Sequence, residues 1–281
     1  MDQKPTNPLA KHFRQPAIYI KLPSGGRFWP EGSLNMPVSS EIAVYPMTTK
    51  DEITLRTPDA LVNGAGIVEV IQSCCPEIVN AWNMPSVDVD SIVIAIRLAS
   101  YGNKMDFNSQ CPACKNVDDY SLNLNDALAQ LRMPNYDDPV VVDDVTIKLK
   151  PQPYFELNKT NQAEYEEQKL LQAIQSTTLN DEQRGIEIQN HMNRIIDIGL
   201  ETLTTSTDYI EADLVQVADK TFIKEFYQNS KSSVNKAIRD RLTTIGEEAS
   251  FKPMDVNCTS CSHPFQIQVI FDYASFFGLG S

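Results

Sequence analysis

Two short motifs, Cys111-x2-Cys114 and Cys258-x2-Cys261, constrain this chain more than any other feature of its sequence. A CxxC turn presents two thiolates side by side. Two such turns facing each other supply the four sulfurs of a tetrahedral structural metal site, with zinc the usual occupant. Four thiolates leave no open coordination position, so a metal held there maintains structure and activates no water. The fold must then carry residue 111 to residue 261 and close a very long loop, because 144 positions separate Cys114 from Cys258. Each motif is followed by a strand-like stretch, VDDYSLNL after the first and FQIQVIF after the second, as in the two halves of a zinc ribbon. The expectation is one structural zinc per chain on Cys111, Cys114, Cys258 and Cys261, with reduced metal-free thiols, redox thiols or an iron–sulfur centre as rivals. A thioredoxin-type CxxC opens a helix after a strand, and neither motif does. His263, two residues beyond Cys261, is read as solvent-exposed or hydrogen-bonded to the site, with replacement of one cysteine ligand as the rival reading.

The remaining pair, Cys74-Cys75, ends the apolar run GIVEVIQSCC and reads as buried, inert thiols. Disulfides are not expected, because the chain has the apolar content for a core of its own and no export signal in its first residues. Of 281 residues, 24 are Lys or Arg and 37 are Asp or Glu, giving a net charge of −13. That balance argues against a duplex nucleic-acid binder and against a polybasic membrane anchor. No apolar run approaches the length of about 18 residues that a spanning helix requires. The expectation is a soluble acidic protein of a cytoplasm.

The organisation reads as α+β: a mixed N-terminal domain, then split zinc-ribbon-like knuckles separated by a long, mostly helical insertion. Residues 1–16, with three prolines and no periodicity, read as an extended arm that lies on a partner or waves in solvent. Residues 17–102 read as the α+β domain, with a strand at AIYIKL and another at EIAVYPM. In TTKDE, Thr49 and Glu52 read as a capping box, and Thr57-Pro58 as a second helix start. Gly64 and Gly66 mark a helix end and a new start rather than a nucleotide loop, since no fingerprint surrounds them. DVDSIVIAIRLASYG reads as a helix capped by Asp88 or Asp90, buried along Ile92, Ala95, Ile96 and Ala99, and ended by Gly102. Residues 103–124 form the first ribbon half, and 125–153 a linker helix and a hairpin about Asp143-Asp144. Residues 154–247 form the helical insertion, with Leu170, Ile174, Ile188, Met192, Ile195, Ile196, Gly199 and Leu203 at helical spacing. Within it Asn180 reads as a helix cap, 213–230 and 232–246 as two further helices, and Gly246 as the end of the second. Residues 248–281 hold the second ribbon half and an aromatic tail.

Catalytic equipment is missing from this reading. The three histidines, His12, His191 and His263, fall in no metalloprotease or hydrolase pattern. His191 with Glu187 one turn upstream reads as a decorated helix surface. Asp137-Asp138 and Asp143-Asp144 read as solvated turn carboxylates without the ligand spacing of a calcium loop. The chain reads as a folded adaptor, not an enzyme.

The strings LPSGGRFWP (22–30), VYPMTTKDEITLRTPDALVNGAGIVEVIQSCCP (44–76), DSIVIAIRLASYG (90–102) and CPAC (111–114) together resemble the baseplate hub and assembly proteins of T-even-like contractile-tailed bacteriophages. The resemblance covers about residues 17–125 and extends to the last CxxC with its FFG tail. It implies work in assembling the central hub of a tail baseplate, with other hub or wedge proteins as partners and the virion and the host cytoplasm as locations. A transient assembly chaperone that leaves the finished particle is the alternative, and a zinc-ribbon adaptor or regulator a distant third. Candidate interface residues are Arg27, Phe28 and Trp29, the helix start at Lys50, Asp51 and Glu52, and the tail aromatics Phe276 and Phe277. The tail either folds back on the ribbon or enters a partner.

Overall fold

In the computed structural model, which describes residues 7–57, 64–176, 180–269 and 271, the chain builds two hydrophobic cores and, beside them, two small β-hairpins. The first core gathers the N-terminal elements. Strand β1 (Ile18–Ile20) pairs antiparallel with β2 (Ile42–Val44), Tyr19 opposite Ala43. Helices α1 (Thr49–Leu55), α2 (Ala65–Cys74) and α3 (Ser86–Tyr101) pack around them. The expected face of α3 is too narrow a description. Val93 and Ile94 are as fully buried as Ile92, Ala95 and Ile96, because α2 and both strands cover one side and later helices the other.

The ends of these helices differ from the sequence reading in instructive ways. The capping box of α1 is made by Thr48 and Asp51, one residue earlier than Thr49 and Glu52. Asp51 is buried; its carboxylate accepts the Thr48 amide at 2.7 Å and an Arg14 guanidinium hydrogen at 3.2 Å. Helix α3 starts at Ser86 without a side-chain cap, so neither Asp88 nor Asp90 plays that part. Asp88 points into the core instead, accepting from the Ser24 amide (2.8 Å), the Ser24 hydroxyl (2.5 Å) and Trp29 Nε1 (2.8 Å). Burial raises its pKa even against these three donors. Gly102, at φ 88°, closes α3 as expected. Gly64 precedes α2 at φ 74°, where a Cβ would come within 2.7 Å of the Asn158 side chain. The start expected at Thr57-Pro58 runs into residues outside those described.

The arm is anchored at its inner end. After a 3-10 turn at Ala10–His12, Arg14 donates to the carbonyls of Pro46 and Ser73, each at 2.7 Å, and to the Ser73 hydroxyl at 2.8 Å. The guanidinium thereby ties the arm to the end of α2, where Cys74 and Cys75 are buried free thiols. Desolvation pushes the Cys74 thiol up to about 12.

The second core adds two strands to residues 154–247, which are otherwise mostly helical as expected. Strands β5 (Val140–Val142) and β6 (Val145–Leu149) form the expected hairpin, with Asp143 at φ 52° in its turn. Two further strands from inside the supposed insertion, β7 (Thr207–Ala212) and β8 (Val215–Val217), complete an antiparallel sheet in the order β5-β6-β7-β8. Asp213 and Leu214 turn between them at φ 50° and 65°, which no helix permits. Helix α4 (Leu124–Gln130) leads in from the first core. Helix α7 (Lys220–Asn229) begins only at its Asp219 cap, and α8 (Ser232–Ala249) runs through Gly246 rather than ending there.

Between the strands, α5 (Tyr154–Ser176) and α6 (Asp181–Thr205) form a long antiparallel hairpin, with Asn180 capping α6 as expected. His191 does not pair with Glu187. It lies buried against Glu167 of α5, Nδ1 to Oε2 2.8 Å, and Arg194 Nε donates to the other oxygen of the same carboxylate. Among the described residues no helix is long and apolar enough to cross a membrane.

Candidate metal centre

The first cysteine pair sits in the turn between β3 (Lys104–Gln110) and β4 (Val117–Asn123), and the second between β9 (Met254–Asn257) and β10 (Pro264–Ile267). Each CxxC is therefore the tip of its own antiparallel hairpin. The two tips share one hydrogen-bond pattern. The Cys111 amide donates to the Asn116 carbonyl (2.8 Å) and the Lys115 amide to the Cys111 carbonyl (3.0 Å). At the same offsets, Cys258 donates to the His263 carbonyl (3.0 Å) and Ser262 to the Cys258 carbonyl (2.9 Å). Lys115 and Ser262, each just after the second cysteine, adopt φ 62° and 58°. The left-handed residue reverses the chain so that amides turn toward the first sulfur of each pair.

The tips face each other. Cys111 Sγ lies 3.8 Å from Cys261 Sγ, and Cys114 Sγ 3.6 Å from Cys258 Sγ; all four sulfurs are within 4.8 Å of one another. A tetrahedron of four thiolates with metal–sulfur bonds of about 2.3 Å has edges of about 3.8 Å, so the donor set fits a four-coordinate ion. All four cysteines are free thiols, with Cys111 and Cys258 buried and Cys114 and Cys261 exposed. The amides of Cys114 and Ala113 hold the Cys111 thiol down to about 7, although burial works against them. At Cys258 the Cys261 amide lowers the pKa in the same way, but burial and the neighbouring Cys114 thiol leave it raised. These four cysteines could hold a metal ion.

Several supporting residues were not legible as such. Asp118 of β4 accepts the Thr259 amide at 3.3 Å and approaches Cys258 Sγ at 3.7 Å, bracing one tip against the other. Asn116 donates to Asp118 at 2.8 Å and fixes its orientation. Tyr120 meets Phe265 edge-on across the two hairpins, ring centres 6.0 Å apart. The repeated Cys-x2-Cys-x-x-strand spacing was the available signal for the paired turns; nothing local marks Asp118, whose partner lies 141 residues away. His263 serves its turn through its backbone carbonyl.

The other singled-out residues fall elsewhere. Phe28 and Trp29 pack against the second and first cores respectively and line a cleft of about 530 Å³ together with Lys150 and Lys220. Arg27 pairs with Asp137 at 2.6 Å, Phe28 packs on Tyr136 with ring centres 5.9 Å apart, and Trp29 bonds Asp88. Of the α1 trio, Lys50 pairs on the surface with Glu69 and Glu52 accepts from the Tyr101 hydroxyl. Asp51 is turned inward, which removes it from any docking surface. Phe276 and Phe277 lie outside the described residues. Phe271, just before them, packs edge-on against Phe251 at 4.9 Å.

No curated protein and no solved structure matches this chain. A family model described as T4 bacteriophage base plate protein matches residues 16–278, taking in both cores, the long helical hairpin and both cysteine tips. The chain belongs to the T4 bacteriophage base plate protein family.

Proposed function

We propose that this chain is a structural and assembly component at or near the hub of a contractile-tail baseplate, acting through contacts with other hub or wedge proteins. One observation carries the reading: the family match over residues 16–278. The clustering of the four cysteines supports a means of stabilising such a part. One zinc ion on Cys111, Cys114, Cys258 and Cys261 would lock two hairpins that are remote in sequence, and a closed four-thiolate shell supports a structural ion rather than a hydrolytic one. Zinc suits the site because soft thiolates in a tetrahedron select it, and the bridging of two chain segments makes binding and folding one process.

Quantitative mass spectrometry of purified particles tests the role. Stoichiometric presence beside the other baseplate subunits is expected. Absence from the particle, together with failed assembly when the gene is deleted, would favour the transient chaperone. Elemental analysis of protein purified under reducing conditions is expected to return one zinc per chain.

A further inference from the structure

The outer turns of α6 carry an apolar stripe that the chain, in its described residues, leaves uncovered. Ile188, Met192, Ile195 and Ile196 expose 43, 50, 39 and 56% of their surfaces, although they recur at the spacing of a buried helix face. The stripe continues inward to Leu203, which is buried in the second core. The side of α6 that faces α5 most directly carries His191 and Arg194, both bonded to Glu167, while Ile195 and Gly199 border an open groove shared with Glu164 of α5 and with Arg239, Leu242 and Thr243 of α8.

Three features of the stripe identify its occupant. Its sequence is largely symmetric about Met192, with isoleucines four residues to either side (Ile188, Ile196) and glycines seven residues to either side (Gly185, Gly199), while Ile195 mirrors Gln189. Two copies of α6 crossing antiparallel at Met192 therefore place glycine opposite glycine and isoleucine opposite isoleucine, the self-complementarity a two-fold interface requires. Next, neither glycine is needed by the folded chain. A Cβ at Gly185 or Gly199 would meet nothing within 4 Å and neither residue has positive φ, yet glycine in mid-helix is unfavourable relative to alanine. Lastly, charge permits the approach. On a chain of net charge −13, residues 188–196 carry one formal charge, Arg194, already committed to Glu167. Charge is therefore sparse at the centre of the crossing, and Glu187 and Asp197 stand just outside it.

We infer that α6 is a homodimerisation surface, pairing antiparallel with α6 of a second copy about a two-fold axis at Met192. Covering the four side chains in both copies removes on the order of 800 Å² of apolar surface before the flanking amides are counted, below the roughly 1,200 Å² of a stable specific interface and in the range of a weak one. The association is therefore concentration-dependent. It stands apart from the metal centre, which lies on other elements.

Sedimentation equilibrium of the full chain over a wide concentration range tests this, with a monomer–dimer equilibrium expected. Met192→Glu sets two carboxylates against each other on the axis and is expected to weaken the dimer at least tenfold, leaving the circular-dichroism melt of the dilute chain unchanged. Met192→Cys is expected to form a disulfide-linked dimer under mild oxidation beyond the wild-type level. Ile186→Cys, at 56% exposure, is expected to form none, since off-stripe copies six residues from the axis lie about 18 Å apart along it. A chain that stays monomeric throughout, a dimer indifferent to Met192→Glu, or equal cross-linking at 186 and 192 would overturn the inference. So would a destabilised monomer in Met192→Glu, which would mean the stripe is covered within its own chain.

Discussion

The four-stranded sheet of the second core and the two cysteine hairpins solve one problem by different physics. Each unites segments far apart in the chain: β6 with β7 in the sheet, and residue 111 with residue 261 at the sulfurs. In the sheet, backbone ladders join the strands, and Ile147, Leu149 and Ile210 bury against Ile223, Tyr227 and Ile238. In the hairpins almost nothing is buried. Between residues 104 and 123 and between 254 and 267, only Cys111, Leu122 and Cys258 are. Isolated two-stranded hairpins are marginal in water. Where apolar burial cannot hold distant segments together, a cluster of four sulfurs that could hold a metal ion stands in its place.

Four measurements would break or sharpen that contrast. The largest effect belongs to the metal. Chelation, or Cys258→Ser, is expected to abolish amide-exchange protection in both hairpins, including residues 104–110 and 117–123 on the remote one, while the sheet keeps its protection. Cys74→Ser is expected to leave metal content unchanged and to cost about 1–3 kcal/mol, as a hydroxyl fully buried in place of a thiol with only the Arg14 guanidinium beside it. Loss of sheet protection on chelation would show that the two regions are one cooperative unit.

The converse variant comes next. Ile147 is fully buried on the central strand β6, so Ile147→Ala should cost about 2–5 kcal/mol in denaturant unfolding. Metal stoichiometry at the four cysteines should not change.

A third mode of attachment, the ion-paired hairpin of α5 and α6, supplies a pH test. Burial works to raise the Glu167 carboxyl, but hydrogen bonds from Arg194 and His191 outweigh it and hold it below its ordinary 4.5. A folded value below the unfolded one means the stabilisation is complete above that ordinary value and is lost as pH falls through the folded one. Acid titration of Glu167→Gln should lack this component, whereas the apolar contacts of the sheet have no such dependence.

The smallest effect is expected at Tyr227, whose hydroxyl lies 2.6 Å from Thr207 Oγ1 in the second core. Tyr227→Phe should cost about 1 kcal/mol in thermal unfolding, because the Thr207 hydroxyl keeps the Leu203 carbonyl as a partner.

Legibility in the sequence followed the range of the interactions. Gly102 closing α3, Asn180 capping α6, the hairpin about Asp143 and the buried Cys74-Cys75 were all readable, since each depends on residues within a turn or two. The α1 cap was misplaced by one residue because two threonines and two acids stand in tandem there. Only the Arg14 contact from the arm shows why Asp51 is the one turned inward. Strand β8 was missed because DLVQVADK also fits a helical period, and β7 because it lies inside the mostly helical stretch; pairing of β7 with β6 and of β8 with β7 decides both. Asp88 was misread as a cap because its true donors, Ser24 and Trp29, lie 64 and 59 positions away.

By itself the sequence determined the residue types that matter: two CxxC turns of equal spacing, a helix-rich second half, an acidic surface and a family resemblance in the N-terminal strings. The turns are legible because their geometry is set by four or five consecutive residues. Only the tertiary structure decided that the four sulfurs converge, that a supposed linker hairpin founds a second core, and that the apolar stripe of α6 faces outward. Those outcomes depend on which distant segment fills the other side of each surface, and no local period or spacing encodes that partner.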